Sequence, residues 1–462
     1  MIPDAARALI TNLSNAHEYE KPGLRALNDE YELRSPRGYM HPDVLAELGE
    51  RVKQVVIAWP QLVIDSIEER LDVEGFRLPK GGDLDELWRV WQENNCDEQS
   101  QLAMVDALTL RRCYIAVGTN EADSSTPLIT FESPLEVYAD IDPRTRRVRS
   151  AIRRYGNLPS PGAWLHGVEQ YITLYEPGVT SHFDVTSEWK LVDRDEHGLT
   201  DALGRPMVPI VPMVNRSRLA DWSGRSELDP VLPLAHAANK MATDMMVAGE
   251  FVALPLRGMF GVSPADFEDQ DGNKMSPMQA ILGRMLAIPD DEKVARQFEF
   301  AAAQLSNFHD SINQLARLVA AIAGLPPHFL GLATDNPPSA DAIRSSEARL
   351  VKRAERKQRA FGGAFEEAMR LAARLQSGDW DPRLRRLETD WRDASTPTIA
   401  QSADAAVKKH AEGITTTRQA REDLGYTEAE IARMEADDER ALALDPVGQL
   451  SRVVERQQSA AA

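Results

Sequence analysis

Two helical patterns separated by a proline-bounded break limit the folds open to this chain more than any other stretch of it. Leu305, Phe308, Ile312, Leu315, Val319 and Ile322 recur at three- and four-residue steps, which predicts a helix ending near residue 324 with one apolar face. Gly324 followed by Pro326-Pro327 stops it, because proline lacks an amide donor and disfavours helix in the residue before it. The next pattern opens after Pro337-Pro338, with Ser339 as N-cap, and continues past Gly362-Gly363 to residue 376. Its middle is basic, with Arg344, Arg349, Lys352, Arg353, Arg356, Lys357 and Arg359. That stripe is out of character in a chain of 462 residues with 72 acidic and 53 basic side chains and a net charge of −19. It reads as a candidate phosphate contact, or as a helix face paired with acidic neighbours or another subunit. The break itself contains Thr334, Asp335, Asn336, Pro337, Pro338 and Ser339, with no apolar side chain but its prolines. Such a loop is either a connector or a mobile projection.

The acidic balance argues against a protein that grips nucleic acid over its whole surface, since that affinity comes from neutralising phosphates. It does not argue against one past which nucleic acid must slide. Two cysteines, Cys96 and Cys113, provide neither a disulfide framework nor a zinc set and point to a reducing compartment. The N-terminal residues lack the basic-then-apolar pattern of a signal peptide, and no apolar run reaches the roughly 18 to 20 residues of a membrane span. The glycosylation-like tripeptides at Asn12 and Asn215 have no meaning without secretion.

Along the chain, an amphipathic helix is expected over residues 4–19, then a Pro/Gly-punctuated stretch, then helices over 59–77, 83–94 and 98–112. β-branched and aromatic runs follow at 114–118, 128–131, 135–139, 148–155, 171–175 and 188–192. With a turn at Asp142-Pro143-Arg144-Thr145, their close spacing favours an antiparallel meander. Helix returns over 226–252. Residues 253–298 form a short module with a hairpin signal at Asp271-Gly272. Residues 384–391 alternate like one more strand, and the remainder is helical, with capping-box patterns starting at Thr416 and Thr427. The fold class expected is α+β, mostly helical.

Chemistry-bearing motifs mostly fail. Phosphate-loop, dinucleotide, zinc-protease and nucleophile-elbow patterns are absent. The acidic loop at 267–272 has Phe267 in place of the first calcium ligand and Met278 in place of the bidentate glutamate, so it reads as an acidic turn. Asp140 and Asp142, two residues apart on a strand, could share a metal in a metal-dependent enzyme, against the plainer reading of a strand end entering a turn. His309 and His328 flank the break and read as structural. No catalytic residue, metal or cofactor is assigned.

Six segments, taken in order, carry a resemblance over nearly the whole chain. They are WPQLVIDSIEERLDVEGFR (59–77), VPIVPMVN (208–215), KMATDMMVAGEF (240–251), LPPHFLG (325–331), NPPSADA (336–342) and ETDWRD (388–393). The chain resembles the portal proteins of tailed double-stranded DNA phages, in the branch related to the SPP1 portal and common in phages of actinobacteria. The resemblance implies a portal fold with wing, stem, clip and crown, assembled as a ring, usually a dodecamer, at one capsid vertex. Carried onto this sequence, it implies a wing at 1–225, stem helices at 226–252 and 299–324, a clip at 253–298 and a tunnel loop at 325–340. A long wing helix and returning strand would occupy 341–397, and a helical crown 398–462. Implied partners are further copies of the chain, duplex DNA in the lumen, the terminase large subunit, the head-tail adaptor, and the major capsid and scaffolding proteins, with no membrane. The implied location is the virion, with host cytoplasm during assembly. The implied lumen contacts are Thr334, Asp335, Asn336, Pro337, Pro338 and Ser339. Because these include no Lys or Arg, DNA contact there would be polar or steric.

Overall fold

The computed structural model describes residues 4–34, 55–79, 84–156 (except 121 and 124), 170–253 (except 187 and 188), 305–332, 339–395, 399–426 and 428–444, with three short strands between 257 and 299. The expected hairpin at Asp271-Gly272, the acidic loop at 267–272, the box at Thr427 and the break residues Thr334 to Pro338 lie outside the described residues. Two compact units are present, Met1–Ala394 and Ser395–Ala462.

In the first unit, α1 (Asp4–Tyr31) is much longer than the spacing predicted, because it runs through Pro22. The lost amide bond is outweighed by apolar burial on both sides of the proline, Ile10 and Leu13 before it and Leu24 and Leu27 after it. Helix α2 (Trp59–Glu68) starts with Pro60 in its first turn, where a missing amide costs nothing. The expected helix over 59–77 ends there. Its second half is instead strand β1 (Val73–Arg77), which pairs antiparallel with a strand more than 300 residues downstream. A β-branched Val73 favours strand and Gly75 disfavours helix, and local periodicity gives no sign of the distant partner.

Helices α3 (Asp85–Glu93) and α4 (Cys96–Thr109) are divided at Asn95, which sits in the left-handed region at φ 52°. Strands β2 (Arg112–Gly118) and β3 (Leu128–Glu132) pair antiparallel, and β2 also pairs with β9 (Ile210–Val214). A separate meander follows chain order through β4 (Val137–Ile141), β5 (Val148–Tyr155), β6 (Tyr171–Glu176), β7 (Val179–Asp184) and β8 (Lys190–Asp195). The antiparallel meander is therefore present, with β7 and β9 added to the strands expected. On one face of it, Ile10 and Leu13 of α1 pack with Ile152, Ile172, Leu174 and Phe183.

Helix α5 (Leu232–Ala253) leads to strands β10 (Arg257–Phe260), β11 (Met285–Ile288) and β12 (Arg296–Glu299), of which β10 pairs parallel with β11 and antiparallel with β12. Helix α6 (Ser306–Ala323) follows, then a 3-10 turn at Pro327–Leu330 and the 38-residue α7 (Ala340–Ser377). The buried face of α6 is Ala316, Val319, Ala320 and Ala323. Ile322, expected on that face, is 42% exposed. The alternation expected over 384–391 is a 3-10 turn at Pro382–Arg386, capped by the Asp381 side chain accepting from the amide of Arg383, followed by β13 (Glu388–Trp391). Trp91 is the centre of the main core, with ring centroids 5.3 Å from Phe76, 5.5 Å from Phe365 and 6.4 Å from Phe131. Helix α7 supplies Leu350, Ala354, Phe361, Phe365, Ala368 and Met369 to the same core. At Gly362 an added Cβ would stand 3.1 Å from Nε1 of Trp391, so the glycine lets β13 lie against the helix.

In the second unit, α8 (Ile399–Ala411), α9 (Thr417–Asp423) and α10 (Glu428–Leu444) bury Ala406, Ala420 and Ile431. Thr416 caps α9, its hydroxyl accepting from the amide of Gln419 at 3.2 Å.

Candidate functional site

The junction of α6, the break and α7 is built from both sides. Gly324 takes φ 71° as the left-handed C-cap of α6. Arg349 reaches across from α7, packs its stem 3.3 Å from the Cβ position of Gly324 and donates to the carbonyl of Ala321 at 2.6 Å. A cation at the carbonyl end of a helix offsets the partial negative charge there. On the far side of the break, the Ser339 hydroxyl accepts from the amide of Ala342 at 3.2 Å and starts α7. Both ends of the loop are thus anchored. Of the six residues expected to project, Ser339 is an N-cap and the other five lie outside the described residues.

The basic stripe of α7 is not one surface. Arg353 and Lys357 turn inward onto Glu227, which is completely buried. Lys357 Nζ donates to Glu227 Oε1 at 2.6 Å and also to Oδ1 of the buried Asn215. Arg353 donates to Glu227 Oε2, and Arg216 donates to both carboxylate oxygens, from Nε at 2.6 Å. Asn215 completes the knot by donating to the carbonyl of Arg225 at 2.7 Å. Burial alone would raise the Glu227 carboxyl. Lys357, Arg353 and Arg216 overcome that and hold it down at about 2. Burial pulls the Lys357 ammonium below the usual lysine range, and Glu227 opposes that pull. Reading Arg353 and Lys357 as phosphate or subunit contacts is therefore corrected, because their charge is used inside the chain. Lys352 pairs with Glu355 at 2.6 Å, Arg356 is exposed, and the half-buried Arg344 has one guanidinium nitrogen without a hydrogen-bond partner.

Around the knot, the backbone between β9 and α5 is pinned to the end of α4. The amide of Asn215 donates to the carbonyl of Arg111 at 2.9 Å, that of Arg225 to the carbonyl of Asn215 at 2.9 Å, and that of Glu227 to the carbonyl of Leu108 at 2.9 Å. Gly224 at φ 78° has no room for a side chain, since a Cβ would lie 2.4 Å from the carbonyl oxygen of Arg111. Asn215 is buried with its amide nitrogen engaged, which removes it as a glycan acceptor. Sequence reasoning missed Asn215, Arg216 and Glu227. The one available signal was the stripe itself, since Arg353 and Lys357 at helical spacing in an acidic chain called for a counter-charge without naming which.

The Asp140 and Asp142 pair does not form a metal site. Asp140 faces Arg149 at 3.1 Å. The Asp142 carboxylate accepts from the amides of Arg144 at 2.7 Å and Thr145 at 3.2 Å, and those bonds hold its pKa below the usual range. A β-bulge between Asp140 and Ile141 interrupts the register that would have aligned the two. Among the described residues, no group of three or more His, Cys, Asp or Glu is placed to hold a metal ion. No described helix is long and apolar enough to cross a membrane.

Comparison with known sequences decides the family. The profile of the family described as phage portal protein, SPP1 Gp6-like, matches residues 10–443. The chain belongs to the phage portal protein family. It is 41% identical to the portal protein of Mycobacterium phage D29 over 401 residues, covering 84% of this chain and 80% of that one. It is 39% identical to the portal protein of Mycobacterium phage L5 over 422 residues, covering 87% and 83%. A chain from the virion of a native gene transfer agent particle aligns over 87% of this chain and 99% of its own, at 14% identity and a TM-score of 0.44, a likeness too loose to weigh. Portal proteins are structural components of the virion, and the metal-enzyme reading has no support.

Proposed function

We propose that this chain assembles as a dodecameric ring at one capsid vertex and forms the channel through which duplex DNA is packaged and ejected. Helices α5 and α6 form most of the stem, at about 226–252 and 299–324, with the clip at about 253–298 between them. The loop at 325–340 enters the lumen, 341–397 returns through the wing, 1–225 forms the rest of the wing, and 398–462 forms the crown. The terminase large subunit docks during packaging and the head-tail adaptor afterwards, with capsid and scaffolding proteins around the ring. Assembly takes place in the host cytoplasm. The observation that carries this reading is the anchored break, with Gly324 and Arg349 fixing one end and Ser339 the other. In the lumen, Thr334, Asp335, Asn336, Pro337, Pro338 and Ser339 would meet DNA through polar or steric contact, and a net charge of −19 keeps phosphate from sticking. Of the stripe, Arg344, Lys352 and Arg356 keep a role toward phosphate or a neighbouring subunit.

Negative-stain microscopy of the purified chain tests the assembly. Rings with an axial hole are expected. Monomers or dimers at every concentration would overturn it. Shortening the loop at 334–338 is expected to leave rings intact and to cut packaging of DNA into proheads by at least tenfold.

A further inference from the structure

The turn that follows β9 presents a second feature, which ring formation as such does not explain. Residues 217–222 fold back on themselves, with the amide of Arg218 donating to the carbonyl of Asp221 at 2.7 Å and the amide of Asp221 returning to the carbonyl of Arg218 at 3.1 Å. This tight turn stands on the pinned backbone at Asn215 and Gly224 and presents Leu219, 87% exposed, at its tip. Beside it, the Arg146 guanidinium lies 4.0 Å from the centroid of the Trp222 ring. Between the turn, the β4–β5 hairpin, β9 and α7 lies a cleft of about 980 Å³. Its lining includes four arginines, Arg146, Arg218, Arg225 and Arg356, against a single acid, Asp221. Asp221 is already engaged, with Arg225 at 3.5 Å and the Ser223 hydroxyl at 2.7 Å. Among the described residues no carboxylate pairs with Arg146, Arg218 or Arg356. Three guanidinium groups in one cleft with no carboxylate partner among the described residues amount to a site built for an anion.

We propose that this cleft receives an acidic, partly apolar segment of a second copy of this chain. The inference rests on the assembly reading above and specifies a contact within it. Charge favours this occupant, because each further copy brings 72 carboxylates against 53 cations. Leu219 selects protein over nucleic acid, since a duplex backbone offers phosphates to the arginines but nothing to a rigidly held leucine at the rim. Arg146 over Trp222 presents a flat, preorganised donor that matches a carboxylate bidentately. A cleft on one face that meets acids on a different face of the next copy is a head-to-tail contact, the kind that closes rings when the rotation permits.

The test is a charge-reversing variant, R218E with R356E, compared with the wild-type chain by mass photometry across concentration and salt. The half-assembly concentration is expected to rise at least tenfold, with melting temperature unchanged because both side chains are exposed. Unchanged assembly of the variant beside assembling wild type overturns the cleft contact alone. A wild type that never assembles overturns the assembly reading, and the cleft contact with it. Binding of a fluorescent 30-base-pair duplex is measured alongside, and its loss with intact assembly would assign the cleft to DNA instead. A second readout does not depend on that variant. Cys96 and Cys113 are both buried. The thiol introduced by L219C can then be labelled selectively with a photo-crosslinking maleimide. Crosslinks to an acid-rich peptide of another copy are expected, and crosslinks confined to the same copy would overturn the contact.

Discussion

Two acidic sites in the first unit, one fully buried and one half-buried, solve the same problem in opposite ways. Glu227 is enclosed by Lys357, Arg353 and Arg216 and stays ionised, its pKa held at about 2. At the end of α2, burial pushes Glu68 up to about 7, and Asp72, Asp65, Glu69 and Glu98 add to the rise. Its neighbour Asp65 accepts from the Tyr31 hydroxyl at 2.9 Å, and burial raises its pKa as well. Among the described residues, no cation pairs with Glu68 or Asp65. Arg70 donates to the carbonyl of Ala394 and pairs with Glu347, and Arg392 pairs with Asp72 and Glu74. In an acidic chain the supply of cations decides which shielded acids stay fully ionised and which are pushed towards their neutral form. Here that supply goes to the place where α7 meets the approach to α5.

The largest test of that contrast is Glu227→Gln, which leaves the inward Lys357 and Arg353, and the more exposed Arg216, without their anion. A loss of about 3–5 kcal/mol is expected in urea unfolding of the first unit, as for other broken buried pairs. A loss under about 1 kcal/mol would show that the knot is solvated. Gly224→Ala strikes the backbone under the knot, with a left-handed φ and a clash on Arg111. About 2 kcal/mol or more should disappear from the same measurement.

The pH response separates the two sites by sign. Glu227 has a folded pKa below its ordinary 4.5, so its contribution is present above that value and fades as pH falls towards about 2. Glu68 has a folded pKa above 4.5, so its penalty is absent below 4.5, grows as pH rises and is complete above about 7. Glu68→Gln should therefore raise the melting temperature at pH 8 and change it little at pH 4.5. The reverse order would contradict the contrast.

Smaller still is Arg349→Ala, which frees the last turn of α6. About 0.3–1 kcal/mol is expected, seen as faster amide exchange over residues 320–325. Asp140→Asn should change stability by under about 1 kcal/mol, because it removes one exposed ion pair with Arg149.

What could be read from the sequence follows the range of the interactions. The end of α6 at Gly324 and the Ser339 cap are local backbone chemistry, and both are where the spacing put them. The meander was legible for the same reason, since its strands pair with their neighbours in sequence. Strand β1 was mistaken for helix because its partner β13 is contributed by residues 388–391, beyond any local window. Helix α1 ran through Pro22 because packing outweighed a single lost bond. The basic stripe was visible, but its direction was not. Helical spacing gives which residues share a face and leaves open which face turns inward, and Glu227 gave no local sign of attracting Arg353 and Lys357.

The continuity of α7 has a mechanical consequence. Its 38 residues amount to a rod of roughly 57 Å, and the glycines at 362 and 363 do not interrupt it. The rod is riveted at three stations, Arg349 to the end of α6, Arg353 and Lys357 to Glu227, and Gly362 to the strand ending at Trp391. Force applied at Ser339 would not be absorbed by bending next to the loop. It would pass first into the end of α6 through Arg349, then into Glu227 through Arg353 and Lys357, and last into β13 where Gly362 lies against Thr389 and Trp391.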